Sequence, residues 1–436
     1  MFTLHQYYLR YLEEQSIPKE WYQMYHVKNG LRNEDGTGVL VGLTKVADVV
    51  GYEMKGTMKK DAQGKLYYRG YEIQELLEKE DTCNQYERCG FLLLFGFLPS
   101  QEELSVWQSV LAEHAALPDG FLEKQILRGS SKNLMNKLMQ DILTLYEYDD
   151  NADALDNETR LYQGIALIAK LPSLICYNYA SKQHALHGHS LYIHPMAKDR
   201  STAENILRML RSDRKYTKEE AQILDLMLAL HSDHGGGNNS TFVNVVMGST
   251  GTDLYAAFAG AIGALKGPKH GGANCKAAQM MKELMRKTGL DASEAELKEA
   301  AAQLLRKEGF DQSGLLYGFG HAIYTYSDPR AELLQDQAKA LAIAKGKQKE
   351  FAYYERFAKC VKALLKEEKG ITVCTNVDYY SGFVYELLQI PEELYTPLFA
   401  CARSMGWLAH NIEHQLASGK IVRPATRYVG TLKHVK

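Results

Sequence analysis

Asn376-Val-Asp378-Tyr-Tyr-Ser-Gly382 sets a single carboxylate in an otherwise neutral, aromatic stretch, and the Gly-Phe-Val-Tyr-Glu-Leu-Leu that runs on from Gly382 reads as a helix. An Asp at such a junction has two readings. It caps the free amides of the helix start, or, in surroundings apolar enough to raise its pKa, it serves as a base. Two further unusual segments stand upstream, Gly267-Pro-Lys-His270-Gly-Gly-Ala-Asn274 and Tyr317-Gly-Phe-Gly-His321-Ala322, each presenting a histidine among glycines. Residues 276 to 375 carry helical signals of their own and read as an inserted lobe. His321 then belongs to that lobe, while His270 and Asp378 sit near its two junctions with the main body. The expected fold is mainly α-helical, with a large helical domain from residues 1–275 and 385–436 and a smaller inserted helical domain over 276–384. A site would lie in the cleft between them, where closure excludes water.

Outward from these segments the chain reads as helix upon helix. Leu4, Tyr7, Tyr8, Tyr11 and Leu12 mark one apolar stripe within residues 1–25, suited to packing on a partner subunit. Residues 38–71 read instead as short strands and turns, ending in Leu66-Tyr-Tyr-Arg-Gly-Tyr71. The run from Phe91 to Leu98 is stopped by Pro99, and Ser100 with Glu103 writes a capping box, as do Ser293 and Glu296. Helices are expected over 156–181, kinked or divided at Pro172, and over 202–213, 217–231, 253–266, 330–344 and 350–366. Gly309 is expected as a C-terminal cap. Gly260 and Gly263 allow the 253–266 helix a close approach to its neighbours, in the core or at a subunit interface.

The chain has 436 residues, 45% of them hydrophobic, and 51 basic against 53 acidic side chains, a net charge of −2. That balance gives no general basic field for nucleic acid or membrane surfaces. The cysteines at 83, 89, 176, 275, 360, 374 and 401 form no CxxC pair, which fits a reducing compartment. The N-terminus lacks the pattern of a signal or transit peptide, so a cytoplasmic location is expected.

His231-Ser-Asp-His234-Gly-Gly-Gly-Asn238-Asn-Ser240-Thr follows an apolar run, where a glycine cap and a polar loop would use the same residues. Its histidine spacing does not set two imidazoles on one helix face, so no metal is expected there. His184, His187 and His189 read as a solvated loop. His270 would face the positive end of a following helix, where a neutral imidazole donates to an oxygen gaining charge; a turn histidine reads the same way. Arg330, Arg403 and Arg423 each offer a fork that a carboxylate fits, so together they suit a dicarboxylate.

These segments, in this order and at these intervals, with Ser327-Asp-Pro-Arg330, Ala402-Arg403-Ser-Met-Gly-Trp407 and Arg423-Pro424, resemble the citrate synthase family over roughly residues 40 to 430. The resemblance implies a two-domain citrate-synthase-like fold and the acyltransferase reaction of that family, with a coenzyme A thioester as co-substrate and no permanently bound cofactor. It assigns Asp378 to remove a proton from the acetyl methyl of acetyl-CoA, His270 to donate to the thioester oxygen, and His321 to polarise the ketone of oxaloacetate. It gives His234, Arg330 and Arg403 the task of holding oxaloacetate. Arg423 would reach the neighbouring subunit's site, which implies a homodimer. Ser240 and Asn238 would support His270 from behind, and the backbone of Leu316, Tyr317, Gly318, Phe319 and Gly320 would receive the CoA adenine. Ala322 stands where many relatives carry a basic residue, and Lys269 where an apolar one is usual. A 2-methylcitrate synthase using propionyl-CoA has the same motifs, and a catalytically silent CoA-binding protein on the same scaffold would share the fold.

Overall fold

The computed structural model describes residues 3–55, 58–77, 83–417 and 419–430. The chain divides into two compact units, one of Thr44–Ile421 and one of Met1–Leu43 with Val422–Lys436. In the smaller unit the expected N-terminal helix is two helices, Leu4–Gln15 and Glu20–Met24. Thr3 and Gln6 close a capping box on the first of them. Its apolar stripe, Leu4, Tyr7, Tyr8, Tyr11 and Leu12, is exposed.

The larger unit is helical apart from one antiparallel sheet of β1 (Ala47–Lys55), β2 (Met58–Tyr68) and β3 (Tyr71–Glu72), in that order. A register shift between Val50 and Tyr52 bends the hairpin. Two glycines explain where it rests. A Cβ at Gly51 would stand 2.3 Å from the Ile323 carbonyl oxygen, and one at Gly64 2.0 Å from that of Ser327. Only glycine lets the two strands lie directly on the backbone that runs from His321 towards Arg330. Gly64 N–H donates to Ser327 Oγ at 3.1 Å and Tyr324 Oη to the Lys65 carbonyl at 3.3 Å, which fastens the contact.

The core of this unit is built on the Tyr395–Ala417 helix, buried without interruption from Tyr395 to Asn411. It packs on the helices Gln85–Phe95, Asn157–His187, Lys218–His231 and Asn239–Gly248. Ser100, Ser201, Thr217 and Ser293 each close a capping box, so these helix starts are fixed by residues within four positions.

Four local expectations are corrected. Pro172 neither ends nor divides its helix, which runs unbroken from Asn157 to His187 with Pro172 buried inside it. Packing on both sides outweighs the one lost hydrogen bond. His184 and His187 consequently lie in its last turn, ahead of left-handed Gly188, and only His189 is in the loop. The Glu294–Leu305 helix is closed before Gly309 by Lys307 at φ 65°, with Glu308 N–H reaching the Gln303 carbonyl at 2.9 Å. The 202–213 element stops at Leu210. Among the described residues no helix is long and apolar enough to cross a membrane.

Candidate active site

Four chain segments carry the candidate residues outside the Tyr395–Ala417 helix, which itself carries Arg403: those of His234, His270, His321 with Arg330, and Asp378. Asp378 opens the Val377–Leu387 helix, but it is not the cap. Asn376 is, its Oδ1 accepting from Asp378 N–H at 3.0 Å. The carboxylate is therefore not spent on the helix start, which corrects the capping reading. Burial pushes Asp378 up to about 6, against the pull of the Arg330 and Arg403 guanidiniums and with support from Asp328.

The same Asn376 straps this helix to the glycine-flanked segment before His321. Its Nδ2 donates to the Gly320 carbonyl at 2.9 Å, its N–H to the Gly318 carbonyl at 2.9 Å, and Gly320 N–H returns a bond to Cys374 at 2.9 Å. Phe319 and Thr375 pair as an isolated antiparallel bridge. Leu316, Tyr317, Gly318, Phe319 and Gly320 thus form a turn beside the start of the Asp378 helix, tied to it at Phe319, whose ring meets Tyr379 tilted at 60° with 4.9 Å between centres.

His321 Nδ1 accepts from Ile323 N–H at 3.1 Å and Tyr324 N–H at 3.2 Å. A ring nitrogen that accepts amides carries no proton, so in the neutral ring the proton is on Nε2, as a donor. The ring stacks on Tyr324 at 4.6 Å and meets His234 edge to face at 5.0 Å. His234 is buried, its Nε2 has no partner, and burial followed by the charge of Arg330 holds it well below the usual imidazole range.

His270 precedes the Ala273–Thr288 helix, and its Nε2 lies 3.1 Å from Ser240 Oγ. Ser240 accepts from Trp407 Nε1 at 3.2 Å, so its one proton serves either His270 or Asn238 Oδ1, also at 3.1 Å. Given to His270, it leaves that ring's proton on Nδ1. Burial, with the charge of Arg403, lowers His270 to about 4, so the ring is neutral across the physiological range.

Two of the three candidate arginines are buried, Arg330 at 4% exposure and Arg403 at none, which few unpaired cations tolerate. Arg330 is held by Asp328, its Nε and Nη2 donating at 3.0 and 2.7 Å. Arg403 has a weaker hold: Nε donates to the His231 carbonyl at 2.6 Å, the guanidinium lies 4.8 Å from the Phe399 ring centre, and Nη1 has no partner. Burial lowers it to about 10. A buried guanidinium and a buried imidazole with unpaired nitrogens are the groups an anionic oxygen ligand satisfies.

Residue patterns alone did not single out the supports around these groups. Tyr68, from β2, accepts Asp233 N–H at 3.1 Å and donates among the carbonyls that end the Lys218–His231 helix, fixing the turn that presents His234. Asp233 takes His410 Nε2 at 3.2 Å and Gly235 N–H at 2.9 Å. Arg423 is exposed and belongs to the other unit. Among the described residues no group of three or more His, Cys, Asp or Glu could hold a metal ion.

Residues 36–425 match the model of the citrate synthase, C-terminal domain, family. The chain belongs to the citrate synthase family. It is 35% identical over 397 residues to the citrate synthase of Haloferax volcanii, covering 90% of this chain and 94% of that protein. It is 29% identical to the 2-methylcitrate synthase of Shewanella oneidensis, over 84% of this chain and 88% of that one. A ternary complex of carboxymethyl coenzyme A and oxaloacetate with the citrate synthase of Thermoplasma acidophilum superposes with a TM-score of 0.74 at 25% identity, covering 91% of this chain and 96% of that one. As a member of the citrate synthase family the protein is an acyltransferase, and its mainly α-helical fold is the family's.

Proposed function

We propose that the protein is a citrate synthase, which condenses acetyl-CoA with oxaloacetate and hydrolyses the citryl thioester to citrate and CoA. The observation that carries this reading is Asp378, a carboxylate raised to about 6 beside two buried arginines and left uncommitted by the helix start. A thioester α-proton is a very weak acid, so its removal needs a base out of water and a donor already aimed at the oxygen that gains charge. Asp378 takes the methyl proton. His270, neutral and backed by Ser240 and Asn238, donates from Nδ1 to the thioester oxygen. The enol carbon attacks the oxaloacetate ketone while His321 donates to its oxygen from Nε2. His234, Arg330 and Arg403 hold the carboxylates of oxaloacetate, and Arg423 of a second copy completes the site in a homodimer.

The backbone of Leu316 to Gly320 receives the adenine of CoA. Residues 276–384 act as the smaller domain, whose closure on the 1–275 and 385–436 domain follows oxaloacetate binding and completes the acyl-CoA site. A cytoplasmic location accords with the cysteine pattern. The higher identity to the Haloferax citrate synthase than to the Shewanella 2-methylcitrate synthase favours acetyl-CoA. One methylene in an acyl pocket is worth about 1–3 kcal/mol, so the choice is a matter of degree. Steady-state rates with both thioesters test it: kcat/KM is expected to be higher for acetyl-CoA, and a higher value for propionyl-CoA would make the protein a 2-methylcitrate synthase.

A further inference from the structure

Asp328 has no role in the reading above, yet its carboxylate is fully committed inside the site. Oδ1 accepts from Arg330 N–H at 3.1 Å and Arg330 Nε at 3.0 Å, while Oδ2 accepts from Arg330 Nη2 at 2.7 Å and from Val377 N–H at 3.3 Å. Val377 is the first residue of the helix that carries Asp378. Its amide is one of the donors a helix start leaves without an internal partner. Asn376 satisfies the next one, and Asp328, 49 positions upstream, satisfies this one.

We propose that Asp328 is a positioning residue that couples the dicarboxylate fork to the base: one carboxylate oxygen holds both the Arg330 guanidinium and the first amide of the Asp378 helix, so the two are set as one rigid pair. The proposal rests on the reading of Arg330 as an oxaloacetate ligand and Asp378 as the base. Asp328 occupies the Nε edge of the guanidinium, which fixes the plane of the fork and leaves Nη1 to a ligand. Both partners are nearly water-free, Asp328 at 1% and Arg330 at 4% exposure, so their geometry is not shared with solvent.

The second consequence is electrostatic. The charged groups that face Asp378 are Arg330 and Arg403, which favour its carboxylate, and Asp328, which opposes it; Cys275 and Tyr385 also sense its charge. The two arginines pull Asp378 down against the burial that raises it. Asp328 offsets Arg330 and preserves the basicity that burial confers.

Asp328 also caps the Pro329–Ala344 helix by accepting from Arg330 N–H; Asp328→Asn keeps the size and removes the charge, and Asp328→Ser keeps a capping oxygen in a smaller side chain. In either variant the acid limb of the turnover profile is expected to fall by about 1 pH unit, and KM for oxaloacetate to rise about tenfold. Arg330→Gln is the reference: it raises KM for oxaloacetate but moves the limb to higher pH, because a cation is lost. Folded Asp328 variants whose limb superimposes on that of the wild type would overturn the proposal. So would failure of both variants to fold, judged by thermal melting, since Asp328 would then be a purely structural residue. A wild type that releases no CoA from acetyl-CoA or propionyl-CoA with oxaloacetate sinks the functional reading itself, and this proposal with it.

Discussion

At the residue scale, the account depends on Asp378 being a half-buried acid that titrates near neutrality. Its folded pKa of about 6 lies above the ordinary 3.8, so ionisation above pH 4 costs the folded state stability, fully so above pH 6. Asp378→Asn removes that cost. It is expected to stabilise the protein at pH 7.5 by on the order of 2 kcal/mol, allowing for partial exposure, and by progressively less as pH falls towards 4, read from thermal melts across that range. His270 has the opposite linkage: its folded pKa of about 4 lies below the unfolded value of 6.5, so stability is lost as pH falls from 6.5 to 4. Because His270 stays neutral above pH 5, the acid limb of turnover is expected to be a single-proton step with a midpoint near 6, and a two-proton limb would contradict this assignment. The histidines and Asp378 were legible in the sequence because each interrupts a glycine-rich or aromatic segment. Their supports were not, since Tyr68, Asp233 and Asp328 stand beside the residues those segments single out and meet their partners only after folding.

At the scale of elements, the boundaries that were readable are those fixed by neighbours in sequence. Ser100 with Glu103 and Ser293 with Glu296 are capping boxes in both sequence and structure, because each pair closes within one helical turn. Asn376 and Asp378 are two residues apart and both have capping side chains, so the choice between them fell to tertiary structure. Asn376 also reaches Gly320, a contact 56 positions away that only one of the two residues can make in this register. Asn376→Ala is therefore expected to cost more than a lost cap, about 2 kcal/mol against the usual ~1. It is also expected to lower turnover at least tenfold, because the turn from Leu316 to Gly320 loses its tie to the Asp378 helix. An Asn376→Asp variant preserves the cap but not the bond to Gly320. Melting temperatures close to wild type with impaired kcat/KM for the acyl-CoA would separate the two roles, whereas unimpaired catalysis would argue against the strap. Pro172 shows the converse, an accurate local signal overruled by the packing of a long buried helix.

At the scale of the whole molecule, the helical class was legible from periodicity, and the small sheet from the glycines and tyrosines of residues 38–71. How the sheet serves the site was not, because the approach of Gly51 and Gly64 to the backbone after His321 spans more than two hundred residues of chain. If closure follows oxaloacetate, equilibrium binding of an acyl-CoA should tighten at least tenfold in its presence, and equal affinity with and without it would contradict ordered assembly. The most direct measurement is the rate of CoA release from acetyl-CoA with saturating oxaloacetate, in the wild type and in a folded Asp378→Asn variant. The account predicts oxaloacetate-dependent release by the wild type and a loss of at least about a thousandfold in the variant. Release at the wild-type rate by Asp378→Asn would contradict the assignment of the base on which the mechanism stands.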